Sequence, residues 1–146
     1  MEQAGMTNIV KTVSRFMCGV VFLFGAYLLV HGHLTPGGGF AGGTVIAGAF
    51  VLLVLAFGDN IMHLRRTKEG STVTENLAIL MFLLFAIIGG FVGANVFFQN
   101  FLDIGVAGNL ISAGIIPLLN IFIGIEVAAA LFTVFLAFVI FKEEEQ

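Results

Sequence analysis

Four long apolar stretches, separated by short polar segments, dominate the pattern of the chain. They predict helices over residues 9–30, 40–58, 73–98 and 110–141. About twenty mostly apolar residues are enough for a helix to cross the hydrocarbon core of a bilayer. The pattern therefore predicts an all-α integral membrane protein, with a single transmembrane domain of four helices over residues 1–146.

The first and third predicted helices begin among polar residues. The uncharged run of the first covers only residues 16–30, so a start near residue 9 requires the side chains of Lys11 and Arg15 to reach back toward the membrane surface. No small-x-small cleavage site follows, and we expect this helix to be retained. Thr72-Val73-Thr74-Glu75 reads as a capping box, which predicts that the third helix begins at Val73.

The basic residues divide unevenly between the two sides of this predicted topology. They are Lys11 and Arg15 before helix one, Arg65, Arg66 and Lys68 between helices two and three, and Lys142 after helix four. The connections at residues 31–39 and 99–109 contain no Lys or Arg. By the positive-inside rule, both termini are predicted to be cytoplasmic, with the chain in the cell membrane.

Composition supports a membrane-embedded chain and excludes several other classes. Only 10% of residues are charged and the mean hydropathy is +1.09, whereas about a quarter of the residues of a soluble domain are charged. The single cysteine, Cys18, cannot form an internal disulfide. No basic stripe for nucleic acid and no self-contained active site occur, so we predict no catalytic residue, no metal site and no cofactor.

Glu126 is the polar residue that stands out most, because it lies well inside the last apolar stretch. Ionisable groups at membrane depth are costly and usually face a bundle interior, a partner or a water-filled path. Its helical neighbours Ala129, Ala130 and Thr133 are small. Two interpretations stay open: a carboxylate that handles protons or cations, and a structural carboxylate hydrogen-bonded across a subunit interface.

Pro117 and Asn120 interrupt the same stretch. A proline inside a helix removes a hydrogen bond and frees the carbonyl four residues earlier, which predicts a long last helix kinked at Pro117. Asn120 is placed either to re-satisfy such a group or to line a polar path, and it joins Glu126 and Thr133 as an ion-path candidate.

The connection between helices one and two is rich in glycine and carries two histidines. Its distinctive residues are His31, His33, Pro36, Gly37, Gly38, Gly39, Phe40, Gly42 and Gly43. One interpretation is a site at the N-terminus of helix two, which favours anions, with histidines that relay protons. The other is a tight turn packed on a partner subunit. A metal site is not expected, because an i, i+2 histidine pair in a turn does not form a facing ligand set.

The run His31-Gly-His33-x-x-Pro36-Gly-Gly-Gly-Phe40-x-Gly42-Gly43 resembles the signature of the B subunit of multi-subunit Mrp-type sodium/proton antiporters. The resemblance covers nearly the whole chain. It implies a four-helix subunit, not catalytic alone, in an antiporter module that moves Na⁺ and H⁺ with other membrane subunits. Relatives occur in archaeal membrane-bound hydrogenase-type complexes, where a peripheral arm couples the module to electron transfer.

The last helix departs from the bacterial antiporter pattern. It reads Pro117-Leu-Leu-Asn120-Ile-Phe-Ile-Gly124-Ile-Glu126, which looks more like the archaeal members and leaves the kind of parent complex open. Two other function classes also stay open. One is a small four-helix proton-coupled exporter, although such sites favour tryptophan or tyrosine beside the carboxylate and this chain has only Tyr27, in another helix. The other is a purely structural scaffold subunit.

Overall fold

The computed structural model describes residues 6–58, 61–92, 97–110 and 112–144. Its helices are α1 (Asn8–Val30), α2 (Gly39–Phe57), α3 (Ile61–Val92) and α4 (Ile116–Glu144). The described ranges contain no strand. Each helix contains a stretch long and apolar enough to cross a membrane, which confirms the predicted all-helical architecture with four spans.

Helix α2 packs between α1 and α4, and α3 packs against α4. The backbone N–H of Met6 donates a hydrogen bond of 3.0 Å to the carbonyl of Ala56. The charged groups of Lys11 and Arg15 lie 5.9 and 5.1 Å from the centre of the Phe57 ring, a cation–π arrangement. The start of α1 is therefore beside the end of α2.

Helices α3 and α4 are antiparallel neighbours. Near the start of α3, Leu64 packs with Leu136 and Ile140 from the end of α4. Helices α1 and α3 therefore begin at the end of the bundle where α2 and α4 finish, and the six Lys and Arg residues lie toward that end. Which side of the membrane this end faces stays a prediction.

The start of α3 at Ile61 shows that the predicted capping box is wrong. The hydroxyls of Thr72 and Thr74 donate to the carbonyls of Lys68 and Gly70, 3.1 and 2.9 Å away, as they do inside a continuous helix. No proline interrupts the polar segment that precedes them, so it continues the helix. The 32 residues of α3 span about 48 Å at 1.5 Å per residue, and its basic residues lie on the helix, not in a loop.

The start of α4 at Ile116 also corrects the predicted kink. Pro117 is the second residue of the helix, where its missing N–H removes no helical hydrogen bond and its fixed φ suits the first turn. The carbonyl of Ala113, four residues before the proline, accepts a hydrogen bond from the N–H of Ile116 at 3.3 Å. The helix therefore begins at this proline instead of bending there.

Large apolar side chains are widely exposed on the four helices. Phe16, Phe91 and Phe138 are 69%, 86% and 71% exposed, whereas Leu64 and Leu136 are almost completely buried. In a membrane protein, such outward-facing side chains contact lipid or neighbouring subunits. The helices therefore present most of their apolar surface outward, and only a narrow strip lies between them.

Candidate functional site

The turn between α1 and α2 is closed by its own backbone. The N–H groups of Leu34 and Thr35 donate to the carbonyl of His31, 2.8 and 2.9 Å away. Gly38 then takes φ 101° and ψ −168°, a combination that is essentially restricted to glycine. The chain can therefore enter α2 at Gly39 without a polar cap.

The glycines at the start of α2 allow its backbone to contact α4. A Cβ on Gly39 would lie 2.7 Å from the carbonyl oxygen of Asn120, and a Cβ on Gly43 would lie 2.5 Å from that of Gly124. At both positions a side chain would require the two backbones to move apart. The two helices therefore approach closely along this strip.

An adjacent face of the same turn of α2 contacts α1. A Cβ on Gly42 would lie 2.8 Å from the carbonyl oxygen of Gly25. The buried glycines of the motif thus pack inside this chain, between its own helices. The residues of the motif that are exposed and could contact a partner subunit are Pro36, Gly37 and Phe40. The predicted contact with a partner subunit stays a prediction.

Asn120 lies against the glycine turn. Its side-chain nitrogen would be 3.0 Å from a Cβ on Gly32, and its side-chain oxygen 3.8 Å from a Cβ on Gly38. It therefore faces away from α3, and the structure does not bring it together with Glu126. The predicted role beside Pro117 is not needed, because the carbonyl of Ala113 already accepts a hydrogen bond.

The two histidines of the turn have different surroundings. The ring of His31 stacks on Tyr27 with centroids 4.1 Å apart, and its Nδ1 lies 3.1 Å from the Tyr27 carbonyl, which requires Nδ1 to be the donor. Both ring nitrogens of His33 are buried and have no hydrogen-bond partner among the described residues. Within those same ranges, no three His, Cys, Asp or Glu side chains are grouped as a metal ion would require.

Glu126 is half-buried at the contact between α3 and α4. It lines an open cavity of about 210 Å³ with Phe122 and Ile123 of its own helix. The other wall comes from α3, through Ala78, Ile79 and Phe82. The carboxylate thus lies in an apolar setting between two helices, where a small cation or water has room to approach.

Thr133 lies on the same face of α4 as Glu126, about two helical turns or 10 Å further along. Its hydroxyl oxygen is buried and has no hydrogen-bond partner among the described residues. Buried hydroxyls normally have a partner. Thr133 therefore offers a buried oxygen on the face of α4 that carries Glu126.

Glu75 of α3 is a second half-buried carboxylate, which the sequence did not single out as a site residue. It follows Ser71, whose hydroxyl donates to the carbonyl of Ala129 at 3.0 Å, and precedes Ala78, which lines the Glu126 cavity. Positions 71, 75 and 78 share one face of a helix. Glu75 therefore lies at the level of Glu126 on the face of α3 that meets α4.

The comparison with protein families decides what kind of chain this is. Residues 9–133 match the family described as a domain related to the MnhB subunit of Na⁺/H⁺ antiporters. The chain belongs to the MnhB-related family. The predicted resemblance is thereby confirmed, and with its four apolar helices the chain is a multi-pass membrane protein.

Individual relatives of this MnhB-related chain come from archaea and bacteria. An uncharacterized protein of Methanocaldococcus jannaschii is 39% identical over 133 residues, which cover 87% of this chain and 50% of that protein. A putative antiporter subunit mnhB2 of Staphylococcus saprophyticus is 47% identical over 49 residues, covering 34% of this chain and 35% of the relative. The chain thus spans half or less of the length of these relatives.

A solved structure also resembles this MnhB-related chain. It is a chain of the membrane-bound sulfane sulfur reductase, described as an archaeal respiratory membrane complex. The TM-score is 0.73 at 32% identity, over 92% of this chain and 60% of that one. A chain with a similar fold is therefore also found in a respiratory membrane complex.

Proposed function

We propose that this chain is a non-redox subunit of a cation/proton antiporter module, in which Glu126 and Glu75 lie on an ion path between α3 and α4. The observation behind this proposal is the hydrogen bond from Ser71 of α3 to Ala129 of α4. The register that it sets brings Glu75 to the level of Glu126. Membership of the MnhB-related family supports the antiporter setting.

The chemistry of the site suits exchange of a proton for a cation. Carboxylate, carbonyl and hydroxyl oxygens are the ligands that hard cations prefer. A carboxylate between apolar helices is costly when it is charged and has no partner. Binding either a proton or a cation removes that cost, so Glu126 can alternate between the two. Glu75 adds a second acceptor at the same level, and Thr133 extends the strip toward the basic end.

The proposed parent complex is a stand-alone antiporter or an antiporter module built into a respiratory complex. The staphylococcal relative supports the first by its name, and the sulfane sulfur reductase supports the second by its structural likeness. In both cases other membrane subunits would cover the exposed apolar faces. In the second case a peripheral redox arm would join them.

The small-exporter alternative receives less support from the site. The aromatic rings at the Glu126 cavity are Phe82 and Phe122, whereas Tyr27 stacks on His31 at the glycine turn. If the chain is only a scaffold, removal of the Glu126 charge would leave transport intact, whereas the proposal expects transport to fall. The deciding experiment is therefore Glu126→Gln, with sodium-dependent proton movement measured at matched abundance of the complex.

A further inference from the structure

A second groove between α3 and α4 lies near the basic end of the bundle, away from the proposed ion path. It has a volume of about 520 Å³. Its lining residues are Arg65, Lys68, Glu69, Thr72, Val73, Ile140 and Phe141. Two cationic side chains and one carboxylate thus share an open groove with an apolar wall.

The groove has two chemically different parts. Arg65 and Lys68 provide the positive charge, close to the start of α3. Val73 and Phe141 are 65% and 64% exposed apolar side chains. Phe141 immediately precedes Lys142, where the apolar run of α4 ends. The groove therefore lies near the boundary between the polar surface and the apolar body of the bundle.

Arg66 provides a natural comparison within the same segment. It carries the same charge and lies between the two cations in sequence, yet it is not part of the groove lining. Successive residues of a helix are about 100° apart around its axis, so Arg66 leaves α3 in another direction. Two of the three basic residues of this segment therefore line the groove.

We propose that this groove binds the headgroup of an anionic phospholipid. Arg65 and Lys68 would contact the phosphate, and Val73 and Phe141 would contact the first part of an acyl chain. Basic pockets between transmembrane helices bind anionic headgroups in this way. A phospholipid uses both parts of the groove, whereas a free anion would leave the apolar wall unused. Glu69 opposes the negative headgroup and limits the affinity.

The test uses the intact complex, reconstituted in phosphatidylcholine with spin-labelled phosphatidylglycerol as the probe. The measured quantity is the association constant of the labelled lipid relative to spin-labelled phosphatidylcholine. At low salt, we expect Arg65→Gln and Lys68→Gln each to lower this selectivity about 5-fold, and the double variant about 30-fold. Glu69→Gln should raise it, and Arg66→Gln should leave it within 2-fold of the parent, a limit of about 0.4 kcal/mol.

Three results would overturn the proposal. Equal losses in Arg66→Gln and Lys68→Gln would show a diffuse surface charge, not a groove. Displacement of the labelled lipid by inorganic phosphate at constant ionic strength would show a site for a free anion. Absence of phosphatidylglycerol selectivity in the parent complex would show that another subunit covers the groove. If the double variant fails to assemble, Lys68→Gln and Glu69→Gln still decide, because their expected shifts have opposite signs.

Discussion

Ser71 of α3 donates a hydrogen bond of 3.0 Å to the backbone carbonyl of Ala129 in α4. This bond shows which residues of α3 face which residues of α4. Glu75 lies one turn after Ser71, and Glu126 lies almost one turn before Ala129 in the antiparallel helix. The register of α3 against α4 that this bond sets therefore brings the two carboxylates to the same level of the bundle.

Removal of that bond should loosen the α3–α4 contact. Ser71→Ala is expected to lower the stability of the complex by about 0.6 kcal/mol, the average for such hydrogen bonds between transmembrane helices. The measurement is the thermal stability of the detergent-extracted complex. Thr74→Ala is the control, because its hydroxyl donates to the carbonyl of Gly70 within its own helix. Equal losses in the two variants would contradict a role for the interhelical bond.

Close packing of α2 on α4 predicts opposite effects for two glycines of α2. Gly43→Ala places a Cβ 2.5 Å from the carbonyl oxygen of Gly124, and we expect it to cost about 1–3 kcal/mol through overpacking. A Cβ on Gly48 would have no atom of another described element within 4 Å. Gly48→Ala should therefore be neutral or stabilising, since alanine favours a helix by about 1 kcal/mol. The amount of intact complex after mild extraction measures both, and an unchanged yield for Gly43→Ala would contradict the packing.

The glycine turn should affect assembly, not ion selectivity. Gly38→Val forces a β-branched residue into φ 101°, which costs about 1–3 kcal/mol of backbone strain. The yield of complex should fall, whereas the remaining complex should keep the parent preference among sodium, lithium and potassium. Gly48→Val, in the open part of α2, is the control. Normal assembly with altered selectivity would instead place the turn on the ion path.

The six Lys and Arg residues lie toward one end of the helix bundle, which predicts the orientation of the chain in the membrane. In a background without Cys18, a cysteine at Thr35, which is exposed in the glycine turn, should react with an impermeant thiol reagent from outside the cell. A cysteine at His63, which is exposed near the start of α3, should react only after the membrane is opened. The reverse labelling would contradict cytoplasmic termini.

Hydrophobic length was enough to predict the four spans, because each helix needs a long apolar run to cross the bilayer. The boundaries next to Thr72 and Pro117 were not predictable in the same way. A threonine hydroxyl bonds to a backbone carbonyl inside a helix as readily as it caps one. A proline inside an apolar run begins a helix as well as it bends one. The structure decides both cases.

The candidate site was predicted only in part. Glu126 stood out because it interrupts an apolar run, and the structure places it at a helix contact. Glu75 was missed because the capping interpretation assigned it to the first turn of a shorter helix. The spacing of Ser71, Glu75 and Ala78 was a signal for its face, but only tertiary packing shows that this face meets α4. Asn120 shares the last helix with Glu126 yet points to the glycine turn.

Alanine at position 126 should behave differently from glutamine. Glu126→Gln keeps the shape and most hydrogen-bonding capacity of the side chain. Glu126→Ala also removes the acceptor from any buried donor that pairs with it in the complex, which costs about 1–3 kcal/mol. We therefore expect near-normal abundance of the intact complex for glutamine and reduced abundance for alanine in quantitative blots of membranes. Equal abundance of the two variants would show that no buried donor depends on this carboxylate.

The most direct test of the ion path is sodium-dependent proton movement in inverted membrane vesicles, with abundance of the complex measured in parallel. Glu126→Gln and Glu75→Gln each remove a titratable carboxyl group while keeping the shape of the side chain. We expect transport to fall about tenfold or more in each variant. Asp103→Asn, an exposed carboxylate in the loop before α4, is the control and should transport like the parent. Parent-like transport by Glu126→Gln at equal abundance would contradict the ion path and leave the chain a scaffold subunit.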